Sequence, residues 1–216
     1  MGSGFSRREM LRRAAAVGAT SAVPGRALAQ LGEATSRSVP EVFGEPQLRL
    51  LEAVVARLIP SDAEGPGALE AGAARYIDRA LDDALAASLD AYVQGLAALD
   101  AYARETQGRS FVELEPQAQD AILERLERNA IDGFAPSAAG FFEMLLAHTF
   151  EGTFGDPYYG GNRDFIGWDL LGYPGIRLAV APSEQRLEPP REATRVSAYE
   201  IPMFESLDPE RELDDG

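Results

Sequence analysis

The spacing of the apolar residues is the feature that most constrains the fold of this chain. Between residues 46 and 148, large apolar side chains recur three and four positions apart, and no run alternates convincingly at period two. The first pattern is typical of amphipathic helices, and the second would be needed for a half-buried strand. We therefore predict an all-α fold, a single helical domain of about five helices with an irregular aromatic loop and an extended C-terminal tail.

Residues that start or stop a helix define the predicted boundaries. Pro60 ends the first helix, Gly108 ends the third in a left-handed conformation, and Ser137 caps the fifth. Pro116 is tolerated in the first turn of the fourth helix. The apolar spacing predicts helices at 48–59, 71–85, 87–107, 116–129 and from 137 through 148.

The amino terminus has the pattern of an export signal. Arg7 and Arg8 precede a mild apolar run, and the small residues Ala27 and Ala29 form a site that a signal peptidase accepts. A membrane helix is the alternative, but the run is about half of the roughly 20 residues that a bilayer requires. We expect a twin-arginine signal peptide, recognition by the twin-arginine translocon, and a periplasmic location, with membrane association only through a partner.

Composition divides the chain into four regions: the signal peptide at 1–29, a polar linker at 30–45, a helical domain at 46–181 and an acidic tail at 182–216. The tail is rich in proline and charge but contains a patch of large apolar residues, Tyr199, Ile201, Met203 and Phe204. Such a patch is expected either to become ordered on a partner or to fold back onto the domain. The pattern leaves both alternatives open.

Charge and cysteine content exclude several classes of partner and site. All 20 basic residues are arginine and there is no cysteine, so neither disulfides nor thiolate ligands stabilise the protein. Residues 30–216 contain 15 arginines and 34 acidic residues, a net charge of −19. Nucleic acids and anionic membrane surfaces are therefore poor partners.

Residues 150–175, which we call the aromatic segment, contain the only tryptophan of the chain. Asp156-Pro157 and Gly161-Asn162 are turn dipeptides, because proline presets φ and glycine or asparagine tolerates positive φ. We therefore predict a shaped, irregular loop. A loop this rich in tyrosine, tryptophan and arginine is expected to do more than connect two helices.

The aromatic segment resembles the gluconate 2-dehydrogenase subunit 3 family. The similar motifs are Asp156-Pro-Tyr-Tyr-Gly-Gly-Asn, Gly167-Trp-Asp and Gly172-Tyr-Pro-Gly, with weaker similarity in the amino-terminal half. The resemblance implies a non-catalytic small subunit that binds, stabilises and co-exports a flavin-dependent catalytic subunit, which oxidises a sugar or sugar acid. It also implies that FAD lies in that partner and not in this chain, and it leaves open a cytochrome c subunit as a third member.

Two roles are expected within the aromatic segment. Tyrosine and arginine are enriched among interface hot spots, so the outward, partner-binding residues are predicted to be Tyr158, Tyr159, Asn162 and Arg163. The predicted loop scaffold consists of Asp156, Pro157, Gly160, Gly161, Phe165, Gly167 and Trp168. The alternative is that all the aromatic side chains fold inward as a satellite core.

No catalytic, cofactor or metal site is predicted in this chain. His148 is the only histidine and lies on an apolar helix, so a buried structural role is favoured over zinc binding. Asp156, Asp164 and Asp169 offer oxygen ligands, but their spacing does not match an EF-hand loop. The alternative function is an independent periplasmic sugar-binding protein or enzyme that uses the aromatic segment, with Trp168 as a stacking platform.

Overall fold

Six helices form the part of the chain that the computed structural model describes, which comprises residues 42–63, 65–179 and 193–204. They are α1 (Glu45–Leu58), α2 (Ala73–Ala80), α3 (Leu89–Gln107), α4 (Pro116–Glu127), α5 (Ala138–Phe154) and α6 (Ile166–Leu171). No strand occurs in these ranges, so the all-α prediction is confirmed. The predicted signal peptide and most of the predicted linker lie outside them.

Four of the predicted helices correspond to α1, α3, α4 and α5, and their starts agree to within a few residues. The predicted cap of α5 is also present, because the side chain of Ser137 accepts a hydrogen bond from the peptide N–H of Gly140 at 3.0 Å. The second helix is shorter than predicted. The left-handed Gly72 precedes it, and the chain turns after Ala80, whose carbonyl accepts a hydrogen bond from the N–H of Leu85. The sixth helix, α6, lies inside the predicted loop.

Ordered structure begins before the predicted end of the linker. The ring of Phe43 is buried and lies 6.3 Å from the ring of Tyr92, and the peptide N–H of Phe43 donates to the carboxylate of the buried Asp78 at 2.9 Å. The prediction that structure starts after Pro46 is therefore wrong. A single phenylalanine in a polar stretch gave no periodic signal, although it fills a space in the core.

Helix α5 lies at the centre of the fold and packs against α1, α2, α3, α4 and α6. Its sequence is apolar on nearly every face, as expected of a helix with neighbours all round. Close approach of α3 depends on Gly95, where a β-carbon would collide with the ring of Phe141. None of the described helices combines the length and the hydropathy needed to cross a bilayer.

Candidate functional site

The aromatic segment begins as the carboxyl end of α5 and satisfies the carbonyl groups that this end leaves open. The carbonyl of Gly152 accepts from the peptide N–H of Asn162 at 2.7 Å, and the carbonyl of Phe154 accepts from the indole N–H of Trp168 at 3.0 Å. Unpaired carbonyls at a helix end are costly when buried. The segment is therefore a structured cap on α5.

The Asp156-Pro157 dipeptide starts a 3₁₀ turn that exposes two tyrosines in part. The carboxylate of Asp156 accepts from the peptide N–H of Tyr158 at 3.0 Å, which fixes the first residue of the turn. The turn ends at Gly160, which is left-handed with φ 90° and lies under the guanidinium of Arg79. The left-handed φ favours glycine here, and a β-carbon would also require the guanidinium of Arg79 to move.

Asn162 is completely buried, so the prediction that it is presented outward is wrong. Its amide group donates to the carbonyl of Gly155 at 2.8 Å and accepts from the peptide N–H of Gly167 at 2.8 Å. The residue also adopts a left-handed φ of 44°, which asparagine tolerates better than most residues. Asn162 therefore belongs to the scaffold and joins the two halves of the segment.

Arg163 is exposed, and it ties the aromatic segment to the chain just before α2. Its peptide N–H donates to the carbonyl of Ala71 at 3.0 Å, and its guanidinium donates to the carbonyl of Glu70 at 2.8 Å. These contacts connect the aromatic segment with Glu70 and Ala71. The guanidinium is thus held at the surface in a fixed position.

Helix α6 places Trp168 against the end of α5. It follows the left-handed Phe165 and ends at the left-handed Gly172, and Gly167 lies against the carbonyl of Thr153 with no room for a β-carbon. The indole is only 7 % exposed, with its ring centre 5.2 Å from that of Phe165 and 4.9 Å from that of Tyr173. Trp168 is therefore part of the scaffold and is not available as a platform for a sugar ring.

Residues 193–204, which we call the tail segment, fold back onto the aromatic segment. The ring of Tyr199 stacks on that of Tyr158 at a centroid distance of 4.0 Å, and its hydroxyl is 2.5 Å from the hydroxyl of Tyr159. The peptide N–H of Ala198 donates to the second oxygen of Asp156 at 2.8 Å. For this part of the tail, the structure supports folding back, and Tyr158 and Tyr159 are both partly covered by it.

Two further contacts fix the tail segment on the residues around α6. Arg195 forms a salt bridge with Asp169 at 2.6 Å, and the peptide N–H of Thr194 donates to the carbonyl of Pro174 at 3.1 Å. Within the tail segment, Ser197 and Glu200 form a capping box around a short 3₁₀ turn. The pattern Ser197-x-x-Glu200 is the sequence signature of such a capping box.

His148, which is partly buried, pairs with the buried Tyr92 on the side of α5 that faces α3. The Tyr92 hydroxyl is 3.0 Å from Nδ1 of His148, and burial lowers the pKa of the imidazole to about 4. On the next turn, burial raises the pKa of Glu151, whose carboxylate accepts a hydrogen bond from Tyr76 at 3.3 Å. Both histidine and glutamate are thus partners of buried tyrosines, which agrees with a structural role for His148.

Two of the three aspartates of the aromatic segment are engaged by other groups, and the third is exposed. Asp156 accepts from backbone N–H groups, Asp169 pairs with Arg195, and Asp164 is exposed. Among the residues that the structure describes, no group of three or more histidine or acidic side chains is placed to hold a metal ion.

The family model described as Gluconate 2-dehydrogenase subunit 3 matches residues 45–175 of the chain. The match runs from the first residue of α1 to the end of the aromatic segment, so it includes all six helices and leaves out the tail segment. Searches of curated proteins and of solved structures found no significant match.

Proposed function

Because the chain belongs to the gluconate 2-dehydrogenase subunit 3 family, we propose that it is the non-catalytic small subunit of a flavin-dependent dehydrogenase complex. In this role it binds the catalytic subunit, stabilises it and carries it through the export pathway. The partner holds FAD and oxidises a sugar or sugar acid. The match over residues 45–175 is the observation that carries this proposal.

The construction of the aromatic segment is consistent with a binding role. Several of its polar groups stabilise the segment itself. The amide of Asn162 bonds to the backbone of Gly155 and Gly167, and the carboxylate of Asp156 accepts hydrogen bonds from the backbone of Tyr158 and Ala198. Arg163 and the partly exposed tyrosines are held in fixed positions at the surface. A rigid surface with tyrosine and arginine loses little conformational entropy when a protein partner binds.

The export signal gives the second part of the proposal. The twin-arginine route transports folded proteins, so a complex assembled in the cytoplasm could cross with a single signal. We assign that signal to Arg7 and Arg8 of this chain and place the assembled complex in the periplasm. A cytochrome c subunit is a further candidate member, because electrons leaving a flavin in that compartment need an acceptor.

The test replaces both arginines of the signal, Arg7→Lys with Arg8→Lys, in cells that also express the flavin-dependent chain. We expect dehydrogenase activity to disappear from the periplasmic fraction and the catalytic chain to remain in the cytoplasm. The matched control is Arg12→Lys with Arg13→Lys, which changes a second arginine pair outside the signal motif and should leave export intact.

Two outcomes would contradict the proposal. If periplasmic activity persists in the Arg7 and Arg8 variant, the catalytic chain does not depend on this signal. If affinity purification of the unmodified small subunit recovers no flavin-dependent chain, the two proteins do not form a complex.

A further inference from the structure

The tail segment lies on the surface of the domain and contributes little to its core. Among residues 193–204 only Ser197 is buried, and its hydroxyl caps a turn of the tail segment itself. None of these residues belongs to the cluster of buried apolar side chains that the helices form. Because burial of apolar side chains is the main source of folding stability, the helices do not need the tail segment for their packing.

The tail segment is held mainly by two carboxylates and two tyrosines. We call these four residues the tyrosine surface: Asp156, Tyr158, Tyr159 and Asp169. The carboxylates bind the peptide N–H of Ala198 at 2.8 Å and the guanidinium of Arg195 at 2.6 Å. The ring of Tyr199 stacks on one tyrosine at 4.0 Å, and its hydroxyl is 2.5 Å from that of the other. All three bound groups come from residues 195–199, so the surface binds one short stretch of chain.

The contacts that shape the tyrosine surface do not involve the tail segment. The other oxygen of Asp156 accepts from the peptide N–H of Tyr158 at 3.0 Å. The ring of Tyr159 packs against the core and lies edge-on to that of Tyr158, at a centroid distance of 5.3 Å. Asp169 is fixed by its place on α6. A surface already formed in this way loses little conformational entropy when a segment of chain binds to it.

We propose that a segment of the flavin-dependent catalytic subunit binds the tyrosine surface, and that the tail segment covers this surface until the catalytic subunit displaces it. The inference rests on the proposed function. All four residues of the tyrosine surface lie within the family match, which ends at residue 175, whereas the tail segment lies outside it. The matched part of the chain thus supplies the binding surface, and the tail segment competes with the partner for it.

The contacts of the tail segment indicate the chemistry that the partner's segment needs. A carboxylate that is 40 % exposed, such as that of Asp169, favours a guanidinium, which binds it through two parallel hydrogen bonds. The exposed side of the Tyr158 ring favours an aromatic ring, as Tyr199 provides. We therefore expect the partner's segment to carry an arginine four positions before a tyrosine, the spacing of Arg195 and Tyr199.

The first experiment measures the affinity of the full chain for the flavin-dependent chain. Arg195→Ala with Tyr199→Ala, the release variant, removes the two side chains that hold the tail segment and leaves the tyrosine surface intact. It should bind at least about tenfold more tightly, the gain expected when a cover that is closed in about nine tenths of the molecules is removed. The matched control is Val196→Ala with Met203→Ala, which changes two exposed residues of the same segment and should leave the affinity unchanged.

A further substitution tests the surface beneath the cover. Tyr158→Ala, added to the release variant, should weaken binding about tenfold relative to the release variant, because it removes the ring on which the partner stacks. The comparison is made between two variants that both lack the cover, so loss of the tail segment does not affect it. Equal affinities would show that the partner does not bind the tyrosine surface, and the proposal would be overturned.

A synthetic peptide of residues 193–204 tests the surface without the catalytic subunit. It should bind the release variant more tightly than the unmodified chain, whose surface is already occupied, and it should compete with the flavin-dependent chain. The same peptide with Tyr199→Ala is the control and should do neither. If the peptide binds both chains equally or does not compete, the tail segment and the partner use different surfaces, and the proposal fails.

The outcomes separate this inference from the proposed function. If the unmodified chain forms the complex and the release variant binds equally or more weakly, the tail segment is not a cover, although the complex exists. If neither chain binds the flavoprotein, the proposed function itself fails. A dimer of the unmodified chain in light scattering, absent in the release variant, would show that the tail segment joins two copies and would overturn the proposal.

Discussion

Several glycines of the aromatic segment are fixed by what surrounds them, and Gly167 is the clearest case. A β-carbon there would collide with the backbone carbonyl of Thr153, and no side-chain rotation can relieve this. We expect Gly167→Ala to lower the free energy of unfolding by about 2 kcal/mol or more. Gly172→Ala is the control, because Gly172 has a left-handed φ of 61° but open space around it.

Chemical denaturation of the two glycine variants tests whether the contact with Thr153 makes glycine necessary at residue 167. The control should lose only about 1 kcal/mol, the cost of a left-handed conformation in a residue with a β-carbon. Equal losses in both variants would mean that backbone conformation, and not the contact with Thr153, makes glycine necessary at residue 167.

Protonation of His148 should make the protein less stable in acid. Its pKa is about 4 in the folded chain against an ordinary value of 6.5, so the unfolded chain binds more protons between these pH values. The contribution of His148 to the free energy of unfolding is complete above pH 6.5. It decreases by about 3 kcal/mol as the pH falls to about 4. The raised pKa of Glu151 acts in the opposite direction.

The variant His148→Gln separates the two effects. Glu151 contributes to both proteins, so the difference between their unfolding free energies, measured at each pH, isolates the histidine. We expect wild type to lose stability relative to the variant from pH 6.5 down to 4. A difference that does not change with pH would show that the imidazole titrates normally and is not buried.

For single residues, the sequence predicts the surroundings of a side chain where its immediate neighbours determine them. It does not predict them where they depend on contacts with residues distant in the sequence. A lone histidine among apolar residues indicated a buried, hydrogen-bonded ring, and the structure places His148 partly buried, with Nδ1 3.0 Å from the hydroxyl of Tyr92. Asn162 was predicted to face outward together with Tyr158, Tyr159 and Arg163, but it is completely buried. Its burial depends on Gly155 and Gly167, whose free backbone groups only the folded segment brings together.

At the scale of elements, helices with several turns were predictable because the apolar side chains on each face repeat many times. Helix α6 was not predictable, because its six residues form too few turns for an apolar pattern to repeat. It lies between the left-handed residues Phe165 and Gly172. Short helices form mainly through tertiary packing. In α6 that packing is supplied by Trp168 against the end of α5.

A salt bridge between α1 and α4 gives a prediction at this scale. Arg57 binds both oxygens of Asp120, at 2.6 and 2.7 Å, and Asp120 is only 7 % exposed. Arg57→Leu should cost about 2 kcal/mol, less than for a fully buried pair because the arginine keeps some contact with water. Replacing both residues by leucine should restore most of that loss.

Urea unfolding of the single and double variants measures the coupling. The exposed pair of Arg49 and Glu45 on α1 is the control, and Arg49→Leu should change stability by less than about 1 kcal/mol. If Arg57→Leu is as mild as Arg49→Leu, the bridge does not hold α1 and α4 together.

For the whole molecule, we predict that the isolated chain has neither a flavin band nor a Soret band in its absorbance spectrum. The sequence has no cysteine, one histidine and no glycine-rich phosphate-binding motif. Flavin absorbance should appear only when the chain is purified together with its partner. A stoichiometric chromophore in the isolated protein would show that it holds a cofactor of its own.

The link from Arg163 to Glu70 and Ala71 also governs when the aromatic segment can take its final shape during synthesis. It spans 93 residues of sequence, so the aromatic segment reaches its final shape only after the chain before α2 and the end of α5 have met. The tail segment, which packs on Tyr158 and Tyr159, leaves the ribosome later still. A nascent chain therefore completes the aromatic segment and its contacts only near the end of translation.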